Sequence, residues 1–188
     1  MKELLELYFK NSTEWREWLD TNHAISDGVY LIFYRVASEH ESMRWEEAVQ
    51  VALCFGWIDS TVKKIDEDKR RQKFSPRKPK SVWSKLNKSY LIQLEKNNLI
   101  HESGYASIQR AKENGSWESL VAVEAHLIPF DLEKAFAENP TAFNNYQAFA
   151  PSYRKSYLYW LNQAKREATR IARIQEIIAL CEQNIKSR

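Results

Sequence analysis

Residues 54–88 read CFGWIDSTVKKIDEDKRRQKFSPRKPKSVWSKLNK, the stretch with the strongest signals for the fold. It begins apolar and aromatic and turns strongly basic, with Phe74 and Trp83 interleaved among the cations. Residues 58–65 and 69–74 alternate loosely in polarity, and Asp66-Glu67-Asp68 between them is polar and turn-like. This predicts a β-hairpin with one face toward the core. The poor strand propensity of Arg70, Arg71 and Gln72 leaves an ordered loop as the alternative. Pro76 and Pro79 then end the second strand and hold an extended segment.

The same stretch concentrates the charge. Residues 63–88 carry 11 Lys and Arg against 3 Asp and Glu, a local +8 that the total of +3 conceals. A concentrated positive field suits a negative partner. Lys63, Arg71, Lys73, Arg77 and Lys85 could neutralise phosphates or carboxylates, with Trp57 and Trp83 lining or supporting the surface and Asp59 at its edge. The competing reading is a solvated face, with Trp83 in the core and lysine stems lying over the hairpin. A second basic cluster, Lys165, Arg166, Arg170 and Arg173, follows Tyr153 and Arg154. It reads either as an anion pocket or as an Arg–carboxylate network locking a helical hairpin.

Working outward, residues 29–36 are rich in β-branched and aromatic side chains and almost continuously apolar. They predict a central strand covered on both faces. Ser12 is the expected N-cap of a helix carrying Trp15, Trp18 and Leu19 and ending near His23. Ser42 is expected to cap a helix over residues 45–55, with Gly56 as its stop. Helices are predicted at 87–96 and 102–114. Beyond Trp117 the pattern is wholly helical. Asp131 is expected to cap a short helix that stops before Pro140, followed by 141–149. Ser152 should open 153–164, and the last helix spans 167–183 with Ile171, Ile174, Ile178 and Cys181 on one face. The expected fold class is α+β: a small antiparallel sheet, made of the central strand and the hairpin, packed with helices and followed by an all-helical C-terminal module. The expected division is 1–120 and 121–188, packed as one compact unit.

Composition and motifs exclude several classes. A chain of 188 residues with 13% aromatics and seven Trp can bury a sizeable core. It has no Walker A, GxGxxG or GxSxG motif, and four glycines could hardly build a phosphate cradle. Cys54 and Cys181 are far apart with no CxxC, and the four histidines form no HxxxH or HxH pattern, so no metal or other cofactor is expected. Cys54 reads as a buried structural thiol. Glu3 and Glu6 interrupt what would be the apolar part of a secretory signal, and no apolar run approaches the ~20 residues that span a bilayer. The expectation is a cytoplasmic protein without a membrane span. No catalytic set is recognisable. Asp59 beside Trp57 could serve as a general acid or base, or simply bind backbone N–H groups.

Several ungapped motifs resemble one family. Phe55-Gly56-Trp57-Ile58-Asp59, Phe74-Ser75-Pro76-Arg77-Lys78-Pro79 and Ser81-Val82-Trp83-Ser84-Lys85-Leu86-Asn87-Lys88 come first. Ala111-Lys112 with Gly115 and Trp117, Pro151-Ser152-Tyr153-Arg154, Trp160, Ala164-Lys165-Arg166, Thr169-Arg170 and Arg173-Ile174 follow. In this order they resemble the YdeI/OmpD-associated (OmdA-like) bacterial family, labelled bacteriocin protection, from about Trp15 to Leu180. The family often has Pro after Ala-Lys-Arg where this chain has Glu167, which suits the first turn of a helix. The resemblance implies an α+β N-terminal part and a helical C-terminal module, and it brings no reaction or catalytic residues with it.

Three functions follow as expectations. The first is a non-enzymatic binding protein linked to stress or toxin resistance, using the basic-aromatic surface for an anionic ligand, nucleic acid included, or an acidic protein. The second is an enzyme or small-molecule site around Asp59, Trp57, Trp83 and Lys85, with Tyr153 and Arg154. The third is a structural partner-binding domain. Oligomeric state is not readable from the sequence.

Overall fold

The hairpin forms. In the computed structural model, which describes residues 4–187, Trp57–Lys64 and Lys69–Pro76 pair antiparallel, with a register shift between Asp59 and Val62. The turn is built by Asp66, whose Oδ1 accepts from the N–H of Asp68 (2.8 Å) and of Lys69 (2.9 Å). These bonds, that from Asp68 foremost, hold the Asp66 carboxyl below the usual range.

The chain divides after Glu118 into two compact units. The first runs β1 (Glu6–Tyr8), α1 (Ser12–Asn22), β2 (Val29–Tyr34), α2 (Trp45–Cys54), β3 (Trp57–Lys64), β4 (Lys69–Pro76), α3 (Lys85–Lys96) and α4 (Glu102–Glu113). The sheet order is β1-β2-β4-β3, with β1 parallel to β2 and the other pairs antiparallel. The α+β class therefore holds, with a mixed sheet. The short parallel strand β1 is an addition to the expected arrangement.

The inner face of the sheet carries Val29, Leu31, Phe33 and Phe74, all buried in one core with Trp15 and Leu19 of α1 and with Ala48, Val49, Ala52 and Leu53 of α2. Two of the buried indoles have backbone acceptors. Trp15 Nε1 donates to the Ala48 carbonyl (3.1 Å) and Trp57 Nε1 to the His23 carbonyl (3.2 Å), which lets large apolar rings enter the core without a stranded N–H. Gly56 ends α2 at φ +73°, where a Cβ would be strained. Gly104 lets α4 meet the end of α2, since a Cβ there would lie 2.2 Å from the Cys54 carbonyl oxygen.

The second unit consists of α5 (Val121–Glu124), α6 (Phe130–Ala137), α7 (Pro140–Ala148), α8 (Pro151–Asn162) and α9 (Glu167–Glu182). Its core includes Leu132, Phe136, Tyr146, Tyr157, Leu161, Ile177 and Cys181. No helix among the described residues is long and apolar enough to cross a membrane.

Several local expectations are corrected. The run beginning at Val29 is not covered on both faces. Val29, Leu31 and Phe33 are buried, but Tyr30, Ile32 and Tyr34 are only half-buried, because long basic side chains of β4 lie over that face instead of a helix. Asn11, one residue before Ser12, caps α1 by accepting from Glu14 N–H (3.0 Å). Arg44 occupies the N-cap of α2, its N–H bound by Glu47, while Ser42 accepts from Tyr34 N–H. Pro129 and Ala150, not Asp131 and Ser152, precede α6 and α8. On α9 the buried stripe is Ile177, Ile178 and Cys181, and Ile171 is exposed, since its turn is held by arginine contacts.

Candidate functional site

Strand alternation sorts the basic segment onto two faces. On β4, Gln72 and Phe74 point inward and are buried, so Lys69, Arg71 and Lys73 take the outer face. The register then sets Tyr30 opposite Lys73, Ile32 opposite Arg71, Tyr34 opposite Lys69 and Lys63 opposite Arg71. The short strand β1 extends the same face, with Glu6 beside Tyr30 and Tyr8 beside Ile32. Four cations, three tyrosines and one carboxylate thus share one sheet surface.

The contacts on this surface are cation–aromatic. The Arg71 guanidinium lies 4.7 Å from the Tyr30 ring centre and is ion-paired to Glu6. Lys69 stands 5.8 Å from the Tyr34 ring and 3.8 Å from Asp66. Tyr8 meets Tyr34 edge-on with centroids 5.4 Å apart, and His40 lies tilted against Tyr34 at 4.5 Å. Lys63 and Lys73 enter no ion pair among the described residues. Positive charge held beside partly exposed rings can meet an anion that carries a flat group.

The inner face holds a different polar system. Asp59 Oδ2 accepts from Trp45 Nε1 (3.0 Å) and from Gln72 Nε2 at 2.5 Å, and Gln72 Oε1 accepts from Arg70 (2.5 Å). The carboxylate is therefore engaged in positioning strands β3 and β4 against α2. Trp57 and Trp83 are 1% exposed, so neither ring lines a surface. Arg77 is also buried. Its guanidinium stacks 3.6 Å from the Trp83 ring centre and donates to Val82 O (3.1 Å), Ser81 Oγ (3.3 Å) and Asn87 Oδ1 (2.8 Å). It forms no ion pair among the described residues, and burial pulls its pKa down to about 9. Arg77 thus organises the loop that presents Lys78 and Lys80, both exposed, and leads into α3, where Lys85 is exposed in the first turn. A cleft of about 260 Å³ lies at the hairpin tip, where Arg35–Asp68, Lys64–Glu67 and Lys69–Asp66 pair with one another, so it offers no single sign of charge.

In the second unit the basic residues have separate tasks. Arg170 makes a bidentate pair with Asp131, which holds the aspartate's carboxyl below its usual range and raises the arginine. Arg173 lies over the Trp160 ring at 4.9 Å. Arg154 is half-buried and reaches Gln147 (3.4 Å), while Tyr153, Lys165 and Arg166 are exposed.

Two groupings lie outside the expectations from sequence. One is the tyrosine row, which a strict period-two reading of Tyr30-x-Ile32-x-Tyr34 would have found. The other is a stack in which Arg16 lies 5.2 Å over Phe55, Phe55 stacks on His101 at 5.0 Å, and His101 meets His23 at 4.8 Å. No local spacing announces it, because the four residues come from three separate segments. Among the described residues, no group of three or more His, Cys, Asp or Glu could hold a metal ion.

Comparison with known families gives two matches. Residues 7–107 match a domain of unknown function, DUF8412, and residues 127–184 match the OmdA family, described as bacteriocin-protection, YdeI or OmpD-associated. No curated protein and no solved structure matches the chain.

Proposed function

Because this chain belongs to the DUF8412 family and ends in a bacteriocin-protection, YdeI/OmpD-associated module, we propose that it is a cytoplasmic, non-enzymatic binding protein of stress or bacteriocin resistance that holds an anionic ligand on the outer face of its sheet. The observation that carries the reading is the convergence of Lys63, Lys69, Arg71 and Lys73 on one surface, with Glu6 as its carboxylate. Lys63 and Lys73 keep their charge available, while Arg71 and Lys69 are held only by partly exposed partners that a polyanion can displace. Both cysteines are free and buried, and burial raises the pKa of each, that of Cys181 to about 12.

The test is binding to fluorescent heparin, a polyanion without bases, followed by anisotropy across a salt series. Affinity should fall steeply with salt, and the Lys63→Glu, Lys73→Glu double variant should lose most of it, because two attractions become repulsions. Absence of heparin binding at low salt, or binding indifferent to the double variant, refutes the proposal.

A further inference from the structure

We infer that the anion is single-stranded nucleic acid, whose bases stack on the tyrosine row while its phosphates meet the flanking cations. This inference rests on the outer-face reading above. Charge alone would suit any polyanion, so the argument lies in how charge and rings are interleaved.

Side chains on one face of a strand recur every two residues, about 6.6 Å apart. Tyr30 and Tyr34 stand four residues apart on β2, about 13 Å, with Ile32 between them; Tyr8 stands on β1 next to Tyr34, and Lys69, Arg71 and Lys73 run alongside on β4. A row of rings parallel to a row of cations matches a chain that carries flat bases on one side and phosphates on the other. Duplex keeps its bases stacked inward, so it could use the cations but not the rings. An acidic protein surface could likewise use the cations, but it has no flat groups to set on the rings.

The free protein already makes the contacts that a nucleotide would replace. Arg71 occupies the Tyr30 ring and the Glu6 carboxylate, Lys69 and His40 flank Tyr34, and the Tyr8 hydroxyl donates to the Glu41 carbonyl. A phosphate takes the guanidinium from Glu6, and a base takes the ring face from the guanidinium. The tyrosines are half-buried or, for Tyr8, 39% exposed, so each keeps a fixed ring position with part of its surface open. Fixing the rings beforehand limits the ordering cost of binding.

The experiment measures anisotropy of labelled short oligothymidylate, oligouridylate, a DNA duplex of equal length, heparin and polyglutamate against the full chain. Single strands should bind at least about tenfold more tightly than duplex. Tyr30→Ala and Tyr34→Ala should each lose about tenfold or more for single strands, a larger loss than either shows for heparin. Tyr30→Phe keeps the ring and should retain the affinity, which separates stacking from damage to the fold. Far-ultraviolet circular dichroism checks that each variant is folded. Equal binding of duplex and single strands, with the tyrosine variants unaffected, overturns this inference and leaves the polyanion reading in place. Polyglutamate binding as tight as the oligonucleotides also overturns it and identifies an acidic protein as the partner class. Failure of heparin to bind overturns the reading on which the inference rests.

Discussion

Replacing Arg77 with Met sets two large effects against each other. The guanidinium is buried without an ion pair among the described residues, and its pKa falls from 12.5 to about 9. That displacement corresponds to about 5 kcal/mol of reluctance to hold the charge. Methionine removes the cost. It also removes three hydrogen bonds from a charged donor, each worth about 1.5–3 kcal/mol, of which the bond to Ser81 is the longest at 3.3 Å. The stacking on Trp83 at 3.6 Å goes as well, a contact worth about 2 kcal/mol in a desolvated site. The losses exceed the gain by about 1.5–6 kcal/mol. In a chain of this size that is a drop of about 3–24 °C in Tm if the two units melt together. Calorimetry gives the Tm, and urea titration followed by tryptophan emission reports the Trp83 environment directly. Arg77→Lys should also be destabilised, because a compact ammonium cannot reach three acceptors and cover a ring at once. An Arg77→Met protein as stable as the parent would show that desolvation dominates and that the loop is held by other contacts.

Two further outcomes follow from the packing. Gly104→Ala puts a methyl 2.2 Å from a backbone oxygen that cannot move alone, so it should cost about 2–3 kcal/mol in chemical denaturation; parental stability would mean that α2 and α4 separate freely. Asp131→Asn should cost less than about 1 kcal/mol at neutral pH, since both partners are partly exposed. Because Arg170 lowers the folded-state pKa of Asp131, its contribution is complete above the ordinary value near 3.8 and disappears as pH falls through the depressed one. Parent and variant should therefore converge in acid, and a gap that persists there argues against the pair.

Much of the fold was legible because its signals are local. The alternation from Ile58 to Phe74, broken by Asp66-Glu67-Asp68, specifies a hairpin by the period of the strand itself. Gly56 and Gly115 stop helices at positive φ, as their positions suggested. The misreadings occurred where a distant partner decides. Strand β1 has three residues and one inward side chain, Leu7, so it depends on partners far along the chain, β2 and Arg71 of β4 among them. Asn11 and Ser12 are equally good caps by composition, and the backbone entering the helix selects Asn11. The continuous apolar run of β2 suggested two covered faces, but its tyrosines can be half-wet because basic stems and guanidinium groups lie over them.

For the candidate site, residue order alone puts a local +8 on a hairpin and a proline-bounded loop with aromatic residues among the cations. Which of those charges face outward together depends on strand pairing and burial. Period-two alternation turns Arg71 and Lys73 to the outer face, with Lys63 across from Arg71. Folding of residues 77–87 around a single guanidinium takes Arg77 out of solvent, and the core encloses Trp57 and Trp83. Charge is a property of composition, but a surface is a property of register and burial. Both are set by partners far away in the chain, Tyr30 and Tyr34 on β2 and Tyr8 on β1, which no reading of the basic segment alone could supply.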